Sequence, residues 1–281
     1  MTYAVIIVLV GAEAVVGVLE HPQCKPEPTR AVRALFAREA AGWVSLAGGR
    51  PAGGAAFPTS WMVAFDGRSL GQIVTADPGW QGEYSWAYPR DRLLSVVGEA
   101  PAMPNRRQLF GGWCDAPSDR PLVVVSRPYV ADPGGWKRGE PTGDLRGRVF
   151  PQFQAGAGRQ VTCPTDPEKG VNFNYSAKHL VLLAGYIDRQ GRRLVAVSFD
   201  PKRYNCDGPA GPAWWPNWFM IPADGGHPVF LGDGLWLVDA GDYDRDGRSE
   251  LVFWFSGYNR DGYVLYANEF ATRVEYLWSY H

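Results

Sequence analysis

The chain has 281 residues, of which 46% are hydrophobic and 20% are charged, a composition that can bury a large core and argues against global disorder. Its 34 glycines and 23 prolines make up about a fifth of the residues, against an average nearer 12%, and leave little room for long helices. The formal net charge of −1 gives no electrostatic reason to expect nucleic acid as a partner.

The N-terminal segment 1–14 resembles a short secretory signal. An apolar run from Ala4 to Val10 is followed by Ala12-Glu13-Ala14, an A-x-A-like end. No Lys or Arg precedes this run, so one alternative is a mature first strand, 15–20, behind a misassigned or truncated start. Another is a cytoplasmic protein in which the apparent signal is only a strand. No apolar run reaches the 18 residues that a membrane span needs, and none is expected. The favoured prediction is an exported protein, periplasmic or extracellular, whose mature domain begins at residue 15.

Short apolar runs rich in β-branched and aromatic residues recur along the chain, and turn residues bound nearly all of them. In chain order the predicted strands are 15–20, 32–38, 42–46, 61–65, 70–75, 93–97, 108–113, 122–126, 179–186, 193–199, 218–221, 229–231, 235–238, 251–255, 263–266 and 274–278. Asp66-Gly67 and the segment 188–191 carry turn chemistry typical of β-hairpins.

Two further segments are assigned from their periodicity and composition. Residues 29–41 could form a capped helix, but Val32 and Phe36 partly alternate with Arg33 and Arg38, which favours a strand. Residues 132–160 are rich in Gly, Pro and Arg and are predicted to form a long surface loop within one domain.

Successive strands joined by hairpins, with no helices between them, predict an all-β fold. A sandwich normally uses seven to nine strands in about 100 residues, whereas propeller blades of about 40–50 residues would give this chain about five to seven blades. We therefore predict a single β-propeller-like array of antiparallel sheets over 15–281. Ring closure would place 15–20 or 32–38 in one sheet with part of 263–278.

The four cysteines are widely spaced and form no C-x-x-C pair, which argues against a zinc knuckle or a thioredoxin-type site. Cys163 and Cys206 lie in polar, turn-rich segments. An even number of cysteines in such segments predicts an oxidising compartment and a Cys163–Cys206 disulfide. Four reduced thiols, with Cys24 and Cys114 also unpaired, are the alternative.

The segment 239–255 carries the strongest chemical motif of the chain. Three aspartates alternate, Gly247 permits a sharp turn, and a glutamate closes the loop before an apolar run. Calcium takes six to eight oxygen ligands, which such a loop can supply from few residues. The predicted ligands of a structural Ca²⁺ are the carboxylates of Asp242, Asp244, Asp246 and Glu250 and the carbonyl of Arg248. A solvated acidic turn without metal is the alternative.

The loop is not an EF-hand, because Phe253 stands at the twelfth position, where that motif has a glutamate, and strands are predicted on both sides. It resembles instead the calcium loops of FG-GAP/VCBS-type repeats in integrin-like β-propellers. The matching residues are Asp242-Tyr243-Asp244, Asp246-Gly247 and Glu250-Leu251-Val252. The resemblance runs from Leu235 to the C-terminus, with one loop where the family has several, and it implies a calcium-stabilised blade.

The sequence shows no nucleophile elbow, no phosphate-binding loop and no paired metal-binding histidines, so no catalytic residue is predicted. The twelve tryptophans are expected mainly in the core. We expect an exported, calcium-stabilised binding or scaffold protein for an unknown protein or glycan ligand. The alternative is a propeller enzyme, a hydrolase or lyase of glycans or polyphenols, with its active site in a central channel.

Overall fold

The computed structural model describes residues 13–20, 31–48, 56–76, 93–102, 120–139, 144–157, 160–162, 172–200 and 216–279. Its strands are β1 (Ala14–Glu20), β2 (Ala31–Glu39), β3 (Gly42–Ser45), β4 (Ser60–Phe65), β5 (Arg68–Ala76), β6 (Leu93–Val97), β7 (Leu122–Val125), β8 (Lys137–Arg138), β9 (Gln160–Thr162), β10 (Asn172–Asn174), β11 (Leu180–Ile187), β12 (Arg193–Phe199), β13 (Asn217–Ile221), β14 (Val229–Gly232), β15 (Leu235–Gly241), β16 (Glu250–Gly257), β17 (Arg260–Ala267) and β18 (Thr272–Ser279). One α-helix, α1 (Leu145–Ala157), is described with them. No helix among these residues has the length and apolarity to cross a membrane.

The all-β class is confirmed, and the strands pair antiparallel. Each predicted strand within the described residues is present, with no boundary displaced by more than three residues. The segment 29–41 contains a strand, as favoured. Asp66 and Gly67 both have positive φ angles, 49° and 72°, which is the backbone that a two-residue hairpin turn requires. The predicted strand 108–113 lies outside the described residues.

Six of the first seven strands form a closed barrel. The sheet order is β1-β7-β4-β5-β6-β2-β3, and an additional pairing of β1 with β2 closes the ring of six strands. The seventh strand, β3, pairs with the end of β2 outside this ring. Within this ring β4, β5 and β6 are sequential neighbours and β7 returns beside β4, which is a Greek-key arrangement. Closure leaves no free edge on the six barrel strands.

Burial along the barrel strands follows their sequence. The near-continuous apolar runs of β1 and β7 are fully buried, whereas β5, with its polar and glycine residues, is largely exposed. At Gly17, where the β1–β2 register shifts, a side chain would meet the backbone oxygen of Arg33 at 2.4 Å from its Cβ. The close approach of these two strands therefore requires glycine.

The prediction of a long loop over 132–160 is wrong in part, because this segment contains α1. The Asp144 carboxylate accepts a hydrogen bond from the Gly147 N–H (2.9 Å) and caps the helix. Leu145, Val149 and Phe153 recur every four residues and are buried in one cluster with residues of β11, β12 and β13. Packing of this apolar stripe outweighs the poor helix propensity of a segment that includes Pro151.

The C-terminal strands form a four-stranded sheet in the order β15-β16-β17-β18, the size of one propeller blade. The described strands do not show a ring of five to seven such blades, because six of the first seven strands close into a barrel instead. The predicted sharing of a sheet between the two ends of the chain is also wrong. In the barrel β1 is paired with β2 and β7, and β2 with β1, β3 and β6, so neither can add β17 or β18.

The chain clusters into two compact units. The first comprises Met1–Pro133, Val238–Val252 and Gly262–His281, and the second comprises Gly134–Leu237 and Phe253–Asp261. The second unit contains a five-stranded sheet in the order β14-β13-β12-β11-β8. Compact units of this kind can belong to one domain, and the single domain over 15–281 stays a prediction.

Candidate metal centre

The loop between β15 and β16 folds back on itself through its own aspartates. Asp242 Oδ2 accepts a hydrogen bond from the Gly247 N–H (3.1 Å), Asp244 Oδ1 from the Asp246 N–H (3.2 Å), and Asp246 Oδ1 from the Arg248 N–H (2.8 Å). Gly247 has a φ angle of 83°, which glycine adopts without strain. Short acidic residues at alternate positions thus build the turn that the sequence predicted.

Three of the predicted ligands converge. One carboxylate oxygen from each of Asp242, Asp244 and Glu250 lies within 4.8 Å of the other two. Oxygens bound to one Ca²⁺ at about 2.3–2.6 Å can be at most about 4.6–5.2 Å apart, so this spacing suits a shared ion. Glu250 completes the group because it is the first residue of β16 and returns beside the start of the loop.

Of the other two predicted ligands, Asp246 does not belong to the converging group. Asp246 is exposed, and the structure does not place its carboxylate with the three that converge. Arg248 is exposed as well. The metal-binding roles of the Asp246 carboxylate and of the Arg248 carbonyl stay predictions.

Two of the converging carboxylates are deeply buried. Asp242 is 6% exposed and Glu250 is 1% exposed. Glu250 Oε2 accepts a hydrogen bond from the Tyr243 N–H (2.8 Å), whereas Asp242 Oδ1 is buried and has no hydrogen-bond partner among the described residues. A buried polar atom left unpaired costs about 1–3 kcal/mol, and more when it is charged. A cation bound here would remove that cost.

The electrostatics of the loop also fit a cation. Burial, reinforced by the neighbouring carboxylates of Asp244, Asp246 and Asp242, raises the pKa of Glu250 to about 9. Burial raises the pKa of Asp242 in the same way, against the hydrogen bond from Gly247. Both shifts express the cost of holding several negative charges in a small buried space, which a divalent ion would relieve.

Residues distant in sequence hold the loop in place. Arg38 Nε donates a hydrogen bond to Asp244 Oδ2 (2.8 Å). The segment 128–132, which follows β7, contacts the loop along its length, and Asp132 accepts a hydrogen bond from the hydroxyl of Ser249. Sequence reasoning missed Arg38 and this segment, because nothing in their local sequence indicates a partner far along the chain.

A further buried acid, Asp239, lies just before the loop on β15. It is 6% exposed, and its Oδ2 has no hydrogen-bond partner within the part of the chain that the structure describes. Burial raises its pKa to about 7, with Arg120 opposing and Asp66 reinforcing the shift. Sequence reasoning missed Asp239, since its burial depends on tertiary packing.

The Tyr243 ring packs over Gly241, where a Cβ would lie only 2.4 Å from the Cε1 atom of Tyr243.

The predicted Cys163–Cys206 disulfide cannot be placed, because all four cysteines lie outside the described residues. It stays a prediction.

No protein-family model matches this chain, and comparisons with curated proteins and with solved structures found no similar protein. The resemblance to FG-GAP/VCBS-type repeats therefore rests on the residues of the C-terminal loop.

Proposed function

We propose that the protein binds Ca²⁺ through Asp242, Asp244 and Glu250, and that the ion is structural. The observation that carries this proposal is Asp242 Oδ1, a buried carboxylate oxygen to which no described residue donates a hydrogen bond, in a group of three converging carboxylates. Asp246 and the carbonyl of Arg248 are candidates to add further oxygens from the same loop. In this role the ion neutralises the acids and fixes the turn that joins β15 to β16.

The ligand set favours calcium among the common metal ions. The three converging groups are carboxylates, which suit hard cations, whereas zinc sites are usually built from Cys and His. Magnesium demands a nearly ideal octahedron and keeps several waters, whereas calcium accepts the irregular oxygen cages of flexible loops. We infer that the C-terminal sheet and its loop form one calcium-stabilised blade of the kind that FG-GAP/VCBS-type repeats use.

At the level of the whole protein, we propose an exported binding or scaffold protein rather than an enzyme. What supports this proposal is the acidic loop, whose converging carboxylates would be committed to the ion. In an exported protein such a loop would need only the dissociation constants of about 10⁻⁴–10⁻³ M that are typical of calcium loops in extracellular modules. Its ligand would be a protein or a glycan.

Thermal unfolding tests the metal site. A ligand that binds only the folded state at a hundredfold excess over its Kd adds about 2.7 kcal/mol of stability, which for a chain of this size is a Tm increase of roughly 5–10 °C. The Tm should fall in a chelator, recover with Ca²⁺ and recover much less with Mg²⁺. Asp244→Ala should abolish this response.

A matched control is available in Asp224, an exposed aspartate that makes the same kind of turn by accepting a hydrogen bond from the Gly226 N–H (2.8 Å). Asp224→Ala should keep the full response to calcium. If the wild-type Tm is the same in chelator and in calcium, the loop is a solvated acidic turn and the proposal fails.

A further inference from the structure

Arg38, a residue of the barrel, contacts the proposed metal site directly. It lies near the end of β2 and is separated by 206 positions from Asp244, to which it donates a hydrogen bond of 2.8 Å. The Asp244 side chain is only 5% exposed in this pair, and that of Arg38 is 26% exposed. The pair is therefore largely shielded from water, which strengthens it relative to a surface ion pair.

The bond to Arg38 does not remove Asp244 from the group of converging carboxylates. The bond is to Asp244 Oδ2, while Asp244 still converges with Asp242 and Glu250 at a spacing that suits a metal. A carboxylate offers about four lone-pair positions, so Asp244 can hold Arg38 and the Asp246 N–H and still bind an ion. In this pair Arg38 restricts the orientation of the Asp244 carboxylate.

The same end of the barrel is joined to the loop a second time. After β7, the Pro128 carbonyl accepts a hydrogen bond from Arg245 Nη2 (3.2 Å), and the Val130 carbonyl accepts one from the Asp242 N–H (3.4 Å). In the barrel β1 lies between β2 and β7. Both attachments thus start from the ends of strands that flank β1.

We propose that Arg38 is a positioning residue of the metal site, and that through it calcium binding and the end of β2 stabilise one another. This inference rests on the proposed calcium function. Groups that orient metal ligands typically change metal affinity 10- to 100-fold when they are removed. Because energetic coupling is reciprocal, an ion that is bound more tightly in the presence of the Arg38–Asp244 bond must also stabilise that bond.

The most informative variant is Arg38→Lys, because it changes the shape of the side chain and keeps its positive charge. Lysine keeps the positive charge, and with it any repulsion of Ca²⁺, but it lacks the planar guanidinium whose Nε is directed at Asp244. We expect the Kd for Ca²⁺, measured by titration calorimetry on the full chain, to rise about 10-fold or more. The matched control is Arg273→Lys, which makes the same change in an exposed ion pair with Glu275 and should leave the Kd unchanged.

A second measurement needs no variant. Hydrogen exchange of the wild-type chain with Ca²⁺ and with chelator should show slower exchange in calcium for the backbone of residues 31–39, as well as for the loop. Absence of calcium binding in the wild type would refute the proposed function itself. A wild type that binds calcium, with an unchanged or lower Kd in Arg38→Lys or with no added protection at 31–39, would refute the role of Arg38 alone.

Discussion

Replacing Asp239 with asparagine should stabilise the protein at neutral pH and leave its stability at pH 4 almost unchanged. Asp239 is buried, and burial raises its pKa from 3.8 to about 7. A group whose folded-state pKa is raised holds its proton more tightly in the folded state than in the unfolded state. Its contribution to stability is therefore complete below pH 4 and is lost as the pH rises towards 7.

The size of this effect follows from the shift. Each pKa unit corresponds to about 1.4 kcal/mol, so a shift from 3.8 to about 7 corresponds to a loss of about 4 kcal/mol between pH 4 and pH 7. Asparagine has nearly the same shape and does not ionise in this range. Asp239→Asn should therefore avoid that loss, and its free energy of unfolding at pH 7.5 should exceed that of the wild type by up to about 4 kcal/mol.

Urea denaturation at intervals from pH 4 to pH 8, in the presence of a chelator, measures this difference. The pKa values of Asp242 and Glu250 are also raised. Their contribution to the pH dependence of stability is the same in both proteins to first order, so it cancels in the comparison. The exposed control Asp224→Asn should follow the wild type at each pH. A wild type and an Asp239→Asn variant that differ by the same free energy at pH 4 and pH 8 would refute the reasoning.

Three further predictions concern other parts of the chain. Arg33→Met should lower the free energy of unfolding, measured by urea denaturation, by about 3–5 kcal/mol, because it removes the Nε that lies 3.0 Å from the buried Glu20 carboxylate. Adding Glu20→Gln should restore most of the lost free energy. Gly262→Ala should lower the free energy of unfolding by about 1–3 kcal/mol, since its Cβ would lie 2.1 Å from a backbone oxygen of β18. An unchanged Tm would contradict this prediction. Cys163 and Cys206 should resist alkylation until reductant is added, and free labelling of both would exclude the disulfide.

Local structure was largely predictable because its causes are local. The Asp66-Gly67 turn follows from two adjacent residues that tolerate positive φ angles. The choice of strand over helix for β2 depended on an alternation visible within nine residues. The helix α1 was missed although Leu145, Val149 and Phe153 have helical spacing, because glycine, proline and arginine dominate the segment around them.

The closed barrel could not be predicted in the same way. Its closure depends on the pairing of β1 with β2 and β7 and on the pairing of β2 with β6, and two of these three join strands that are far apart in sequence. Alternating apolar residues show that a strand has a buried face but not which strand lies beside it. Dividing the chain length by the size of a blade predicted five to seven propeller blades, whereas the strand pairing gives a barrel and separate sheets.

The proposed metal site shows most clearly what local sequence can predict and what depends on the folded chain. Asp242, Asp244 and Glu250 lie within nine residues, so the sequence alone could predict that a turn would gather them. The same acids in an exposed hairpin would be hydrated and would repel one another only weakly, because water screens them. What changes their chemistry is burial of Asp242 and Glu250 together with the bond from Arg38, and both depend on the folded chain. An acidic motif is thus a strong argument for metal binding only when the fold removes its carboxylates from water.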